Sequence, residues 1–158
     1  MSGDFRIAAV ALDERVKGRL TPEIEAEREV AIRDLLADNH FRPVGSPGGP
    51  YELTIGIEDN RLALNLFLQD GTPHGTALLS ISPYRRIIAQ YFRMCESFAF
   101  ADGGGRTPEQ TEAIDMARRA LHDDGSKLLM ERLAGKVEMD LETARRLFTL
   151  ICMLHLKG

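Results

Sequence analysis

The chain has 158 residues, 44% of them hydrophobic and 28% charged, with a formal net charge of −4. That length suits a single domain, residues 1–158, with one core and no need of a disulfide scaffold. The charge is uneven, with 13 acidic and 8 basic side chains over residues 1–82 against 11 and 12 over residues 83–158. Neither half has the basic excess that neutralises phosphates, which argues against nucleic acid as a partner.

The first residues lack the basic patch and apolar stretch of a signal peptide, and no apolar run approaches the ~18 residues that span a bilayer, so a cytoplasmic protein with no membrane partner is expected. Cys95 and Cys152 lie in apolar helical patterns without CxxC spacing. Two buried, reduced thiols in a reducing compartment are the expectation.

Residues 5–12 (FRIAAVAL) form an apolar run without helical period, bounded by Asp13-Glu14-Arg15, and predict a buried strand. Thr21-Pro22-Glu23 supplies an N-cap, a proline at the first helical position and an acid in the first turn. A helix follows to about Asp38. Ile24, Val30, Ile32, Leu35 and Leu36 give it a loose apolar stripe, while Glu23, Glu25, Glu27, Glu29, Asp34 and Asp38 face water or a partner. Residues 43–50 (PVGSPGGP) hold three prolines and three glycines and read as a loop.

Residues 51–57 and 61–68 alternate in hydrophobicity around Asp59-Asn60, the pattern of a hairpin, and residues 74–81 add a third strand after Asp70-Gly71-Thr72-Pro73. With the first strand they predict a sheet of about four strands, mainly antiparallel because the connections are short. From Ser82-Pro83 onward the pattern is helical, so the fold class is α+β: a small sheet against a helical C-terminal half.

In residues 83–102 Tyr84, Ile87, Ile88, Tyr91, Cys95, Phe98 and Ala99 recur at helical spacing, with Arg86, Gln90, Arg93 and Ser97 on another face. Gly103-Gly104-Gly105 ends this helix and reads as a linker. Thr107-Pro108-Glu109-Gln110 opens the next with capping-box spacing, and the helix is expected to break or kink near Gly125 before stopping at Gly135. Asp140 caps the last helix, in which eight of ten residues from 147 to 156 (LFTLICMLHL) are apolar. No polar stripe is left for water, so this helix lies either centrally in the core or in a homodimer interface.

Three helices carry an arginine pair: Arg85-Arg86, Arg118-Arg119 and Arg145-Arg146. Asp115 precedes the second pair, and Glu142 the third, by three and four residues, the spacing at which helical side chains meet. The plain reading is surface ion pairs within a helix. The functional reading is that packing gathers six guanidinium groups into a site for phosphate or carboxylate. Arginine outnumbers lysine sixteen to four, which fits that need or a GC-rich coding bias equally.

The histidines are His40, His74, His122 and His155, none in a metal-ligand motif. Cys152 and His155 share a helix face, but two ligands do not make a zinc site, and no metal or cofactor is expected. His122, followed by Asp123-Asp124 and with Asp115 two turns earlier, is the one place where a general base and an orienting acid come within range of one another. A position at a helix C-terminus would equally favour a protonated imidazole without catalysis. Motifs of serine nucleophiles, dinucleotide sites and phosphate loops are absent.

The chain resembles a bacterial family, Uncharacterised Protein Family 0262, along nearly its whole length. The residues carrying the resemblance are Ser82-Pro83-Tyr84-Arg85-Arg86-Ile87, Cys95-Glu96-Ser97, Glu112-Ala113-Ile114-Asp115-Met116-Ala117-Arg118-Arg119, Leu121-His122, Gly135-Lys136-Val137-Glu138 and Thr143-Ala144-Arg145-Arg146-Leu147-Phe148-Thr149-Leu150-Ile151-Cys152. The resemblance implies a bacterial cytoplasmic protein and brings no catalytic residue with it.

From these features the leading expectation is a noncatalytic binding or adaptor domain that engages a small anionic ligand or a protein through its arginine-bearing helices. A small enzyme acting on a phosphorylated or carboxylated metabolite, with His122 as base and the arginines as clamp, and a structural subunit of a homodimer or larger complex, with the last helix as the dimer contact, are the competing readings.

Overall fold

A computed structural model describes residues 4–13, 22–59, 61–80, 82–101 and 107–154. Ten elements follow in order: β1 (Ile7–Leu12), α1 (Pro22–Ala37), β2 (Phe41–Pro43), β3 (Tyr51–Glu58), β4 (Arg61–Leu68), β5 (Pro73–Ser80), α2 (Ser82–Ala101), α3 (Pro108–Leu133), β6 (Val137–Met139) and α4 (Leu141–Leu154). The α+β expectation is met, with the described residues of the second half mainly helical apart from β6.

The main sheet has the order β1-β3-β4-β5. β3 and β4 pair from Tyr51↔Leu68 to Glu58↔Arg61, and β5 follows antiparallel to β4. The chain turns between β3 and β4 through Asp59, whose φ of 51° suits the tight hairpin its sequence foretells; Asn60, Ile81 and Thr21 lie outside the described residues. Only β1 is parallel to its neighbour, β3. The α1 connection makes this possible, because parallel strands need a long crossover.

β1 corrects one expectation. It is not buried on both faces, since only Ile7 is fully buried and exposure alternates thereafter. It is an edge strand, and its outer edge is closed at Ile7 by the side chain of Asn39. Asn39 Oδ1 accepts from the Ile7 N–H at 2.7 Å, and Nδ2 donates to the Ile7 carbonyl at 3.0 Å and to that of Leu35 at 2.7 Å. One amide thus fastens the end of α1 to β1.

A second, two-stranded sheet joins β2 and β6. Phe41, Pro43, Val137 and Met139 face inward while Arg42 and Glu138 face water, 3.7 Å apart. The sequence reading assigned Pro43 to the loop. Proline is tolerated here because the strand is a three-residue edge, where a missing N–H costs little.

In α1 Ala31 and Leu35 are buried and Ile32 and Leu36 pack against the core, so the loose stripe read from sequence holds at Ile32, Leu35 and Leu36, while Val30 is exposed and Ala31 faces inward beside it. In α2 Tyr84 and Ile88 are buried and Ile87 is half-buried; the side chains of Tyr91, Cys95, Phe98 and Ala99, and residues 103–105, lie outside the description. The capping box of α3 forms: Thr107 Oγ1 accepts from the Gln110 N–H at 3.1 Å, and Gln110 Oε1 accepts from the Thr107 N–H at 3.0 Å.

α3 then runs unbroken through Gly125, against the expected break. Gly125 is there for packing: a Cβ at this position would overlap Cε1 and Cζ of Phe148. The glycine lets α4 approach α3 closely, and α3's own hydrogen bonds, with the Ser126 hydroxyl donating to the His122 carbonyl, carry the helix across it. His122 is therefore mid-helix, and the helix-end reading of its environment does not apply.

α4 packs against α1 and α3. Ala144, Leu147, Phe148, Leu150, Ile151 and Cys152 are buried within the chain, so the described part of this apolar helix is core. Asp140 caps it as expected, accepting from the Thr143 N–H at 2.9 Å. Burial pushes the Asp140 carboxyl up, but its hydrogen bonds from Thr143, helped by nearby His40 and Arg146, outweigh this and hold it below the ordinary 3.8. For a depressed carboxylate the stabilisation is complete above the unfolded value and lost as pH falls through the folded one. Asp140→Ala should cost about 1 kcal/mol at neutral pH, and urea titrations should find the difference from wild type shrinking as the pH drops below about 4.

Candidate functional site

α3 and α4 lie antiparallel, and three contacts fix their register: Gly125 against Phe148, Asp123 with Arg145, and His122 with Thr149. The Thr149 hydroxyl donates to the Arg145 carbonyl, one turn back, at 3.1 Å. The same oxygen lies 3.3 Å from His122 Nδ1. The His122 ring meets Phe148 edge-on, with centroids 5.9 Å apart.

Arg145 reaches across the seam to Asp123 at 2.9 Å and back to Glu142 at 3.5 Å. Arg118 and Arg119 are one turn before His122 and Asp123 on α3, and i,i+4 positions share a face with Cβ atoms about 5–6 Å apart. Two of the three arginine-bearing helices therefore meet at this seam. Arg145 is 31% exposed and Asp123 44%, so their pair is a surface interaction worth up to about 1 kcal/mol and exchangeable with another anion.

The remaining arginines go elsewhere. Arg146 turns to α1, donating to the Asp38 carbonyl at 3.0 Å, with Glu142 at 3.9 Å. Arg85 and Arg86 are exposed on the first turn of α2, next to Tyr84, whose hydroxyl lies within electrostatic reach of Arg132 and Glu131 at the far end of α3. At 1.5 Å per residue that end is about 20 Å along the helix from Arg118. Burial pushes the Tyr84 hydroxyl up to about 12, with Arg132 opposing and Glu131 adding to the rise. It has no hydrogen-bond partner among the described residues.

Asp115 lies on the rim of a shallow hollow of about 480 Å³ with Pro108, Thr111, Glu112, Met116 and Arg119. Met116 is 63% exposed beside it. Among the described residues no cluster of histidine, cysteine, aspartate or glutamate side chains is placed to hold a metal ion; His155 lies outside them. No described helix is long and apolar enough to cross a membrane.

One cluster escaped the sequence reading. Ser46 Oγ lies 2.7 Å from the Tyr51 hydroxyl and 2.8 Å from His74 Nε2, and accepts from the Gly48 N–H at 3.2 Å. The His74 and Tyr51 rings are 5.6 Å apart. A serine beside an imidazole is how a nucleophile meets its base. Here the serine oxygen is already engaged by the loop amide and the phenol, and the network ties loop 44–50 to β3 and β5. The partners are 5 and 28 residues from Ser46, and no local spacing signals them.

The model of the uncharacterised protein family UPF0262 matches residues 4–157. A UPF0262 protein of Rhizobium etli is 48% identical over 99% of both chains, and one of Agrobacterium fabrum is 50% identical over the same shares. A UPF0262 protein of Rhodopseudomonas palustris is 54% identical over 97% of this chain and 93% of its own. No solved structure matches the chain. With nearly its whole length covered by the family model and by relatives at about half identity, the chain belongs to the uncharacterised protein family UPF0262.

Proposed function

We propose that the protein is a noncatalytic binding or adaptor protein that engages an anionic ligand or an acidic protein surface through the seam between α3 and α4. One observation supports this reading: Asp123–Arg145 and His122–Thr149 join α3 to α4 one helical turn beyond Arg118 and Arg119, whose i,i+4 spacing from His122 and Asp123 favours the same face of α3. Guanidinium groups suit carboxylate and phosphate because their donors are planar and paired. The acids paired with Arg145, Asp123 and Glu142, are exposed enough for an incoming anion to displace them at small cost. The adjoining hollow, with its exposed Met116 and mixed charges, gives a protein partner apolar as well as ionic contact.

The same reading treats the chain as one domain acting in the cytoplasm. Its support is the core, which draws on Ile7, Leu53 and Leu64 from the first half and Phe148 and Ile151 from the second, and the buried Cys152. An affinity pull-down from cell lysate should recover one dominant partner that is lost with Arg118→Ala/Arg119→Ala. Recovery of no specific partner would count against the proposal.

A further inference from the structure

The two edges of the main sheet are not alike. At β1 the amide of Asn39 occupies both backbone groups of Ile7. At β5 all residues but Leu79 are exposed or half-buried, and Gly75 through Ser80 pair with β4 without interruption. Among the described residues, the backbone of this stretch has no partner strand other than β4. A regular strand with its outer N–H and C=O groups turned to water is a template for a further strand.

What β5 lacks is the charge that ordinarily blocks such an edge. Its sequence, PHGTALLS, contains no aspartate, glutamate, lysine or arginine, in a chain whose net charge is −4. We infer that the β5 edge is a self-association surface, on which a second copy of this chain adds its own β5 antiparallel to form a continuous eight-stranded sheet.

The choice of a second copy follows from charge. Two copies each carrying a net charge of −4 repel one another on balance, and pairing β5 with itself brings together strands without aspartate, glutamate, lysine or arginine. A twofold axis through the middle of the strand makes the contact self-complementary and closed, as isologous dimers require. Leu78, 40% exposed near that axis, adds apolar contact between copies. This surface is independent of the α3–α4 seam and of the last helix, so its failure would leave the proposed function untouched.

Sedimentation equilibrium of the full chain at concentrations up to about 100 µM, high enough for a small interface, tests the inference. The wild type should be in monomer–dimer equilibrium. Leu78→Lys or the likewise exposed Thr76→Lys, each introducing two like charges beside the axis, should raise the dissociation constant at least about tenfold, with circular dichroism unchanged. Weakened association in either folded variant supports the β5 interface. A wild type that stays monomeric throughout, or a dimer that both variants retain at full strength, as one through the last helix would be, overturns it.

Discussion

Gly125→Ala should destabilise the protein by about 2 kcal/mol, although alanine is the better helix former. In an exposed helix interior the exchange would gain up to about 1 kcal/mol. Here the new methyl would overlap Cε1 and Cζ of Phe148, a fully buried ring, and forced overpacking costs roughly 1–3 kcal/mol before any offset. The repulsion belongs to the pair, which a double-mutant cycle isolates. Phe148→Ala alone should cost about 3–5 kcal/mol by leaving a cavity. In that background Gly125→Ala should turn neutral or stabilising, because the ring it strikes is gone. Urea denaturation of the four proteins reads out the cycle. Stabilisation by Gly125→Ala in the wild type would mean that α3 and α4 are not packed as closely as described.

Asn39→Ala should have the second large effect, a loss of about 3 kcal/mol. The side chain makes three hydrogen bonds, two of them to the backbone of Ile7, a residue with no exposed surface. Truncation leaves those buried backbone groups unsatisfied, which costs about 1–3 kcal/mol each when water cannot enter. The damage should be local: native-state hydrogen exchange should accelerate in β1 and the last turn of α1 well before β4. A change below about 0.5 kcal/mol, the ordinary range of a surface substitution, would show that Asn39 does not hold β1 in place.

Asn39 also shows where the sequence stopped being legible. It stands beside His40 with nothing to mark it, and its partner Ile7 is 32 residues away. What sequence does encode is local. The alternation of Leu62, Leu64 and Leu66 foretold the hairpin because those side chains all face the core, and Thr107 and Asp140 foretold helix starts because a cap works within three residues. Glu142 with Arg145 and Arg146 belongs to the same class, being set by helical spacing.

Contacts between elements were not readable. Gly125 signals a break when taken alone, and only Phe148 on another helix shows that it is a packing position. β2 and β6 are three residues each, too short for a period, and become strands by finding one another. Ser46, inside a proline- and glycine-rich loop, acquires His74 and Tyr51 only when the sheet forms. The arginines divide in the same way. Their pairing along each helix is written in sequence, whereas the partners that separate them, Asp123 for Arg145 and the Asp38 carbonyl for Arg146, come from packing.

The α3–α4 seam as the binding surface is tested most directly by one capture experiment with two variants side by side. Wild-type protein should recover a dominant partner from lysate. Arg118→Ala/Arg119→Ala should lose it, while Arg85→Ala/Arg86→Ala, altered at the opposite end of α3, should retain it. Loss of the partner with the Arg85/Arg86 variant but not with the Arg118/Arg119 variant would contradict the assignment, as would the absence of any partner specific to the wild type.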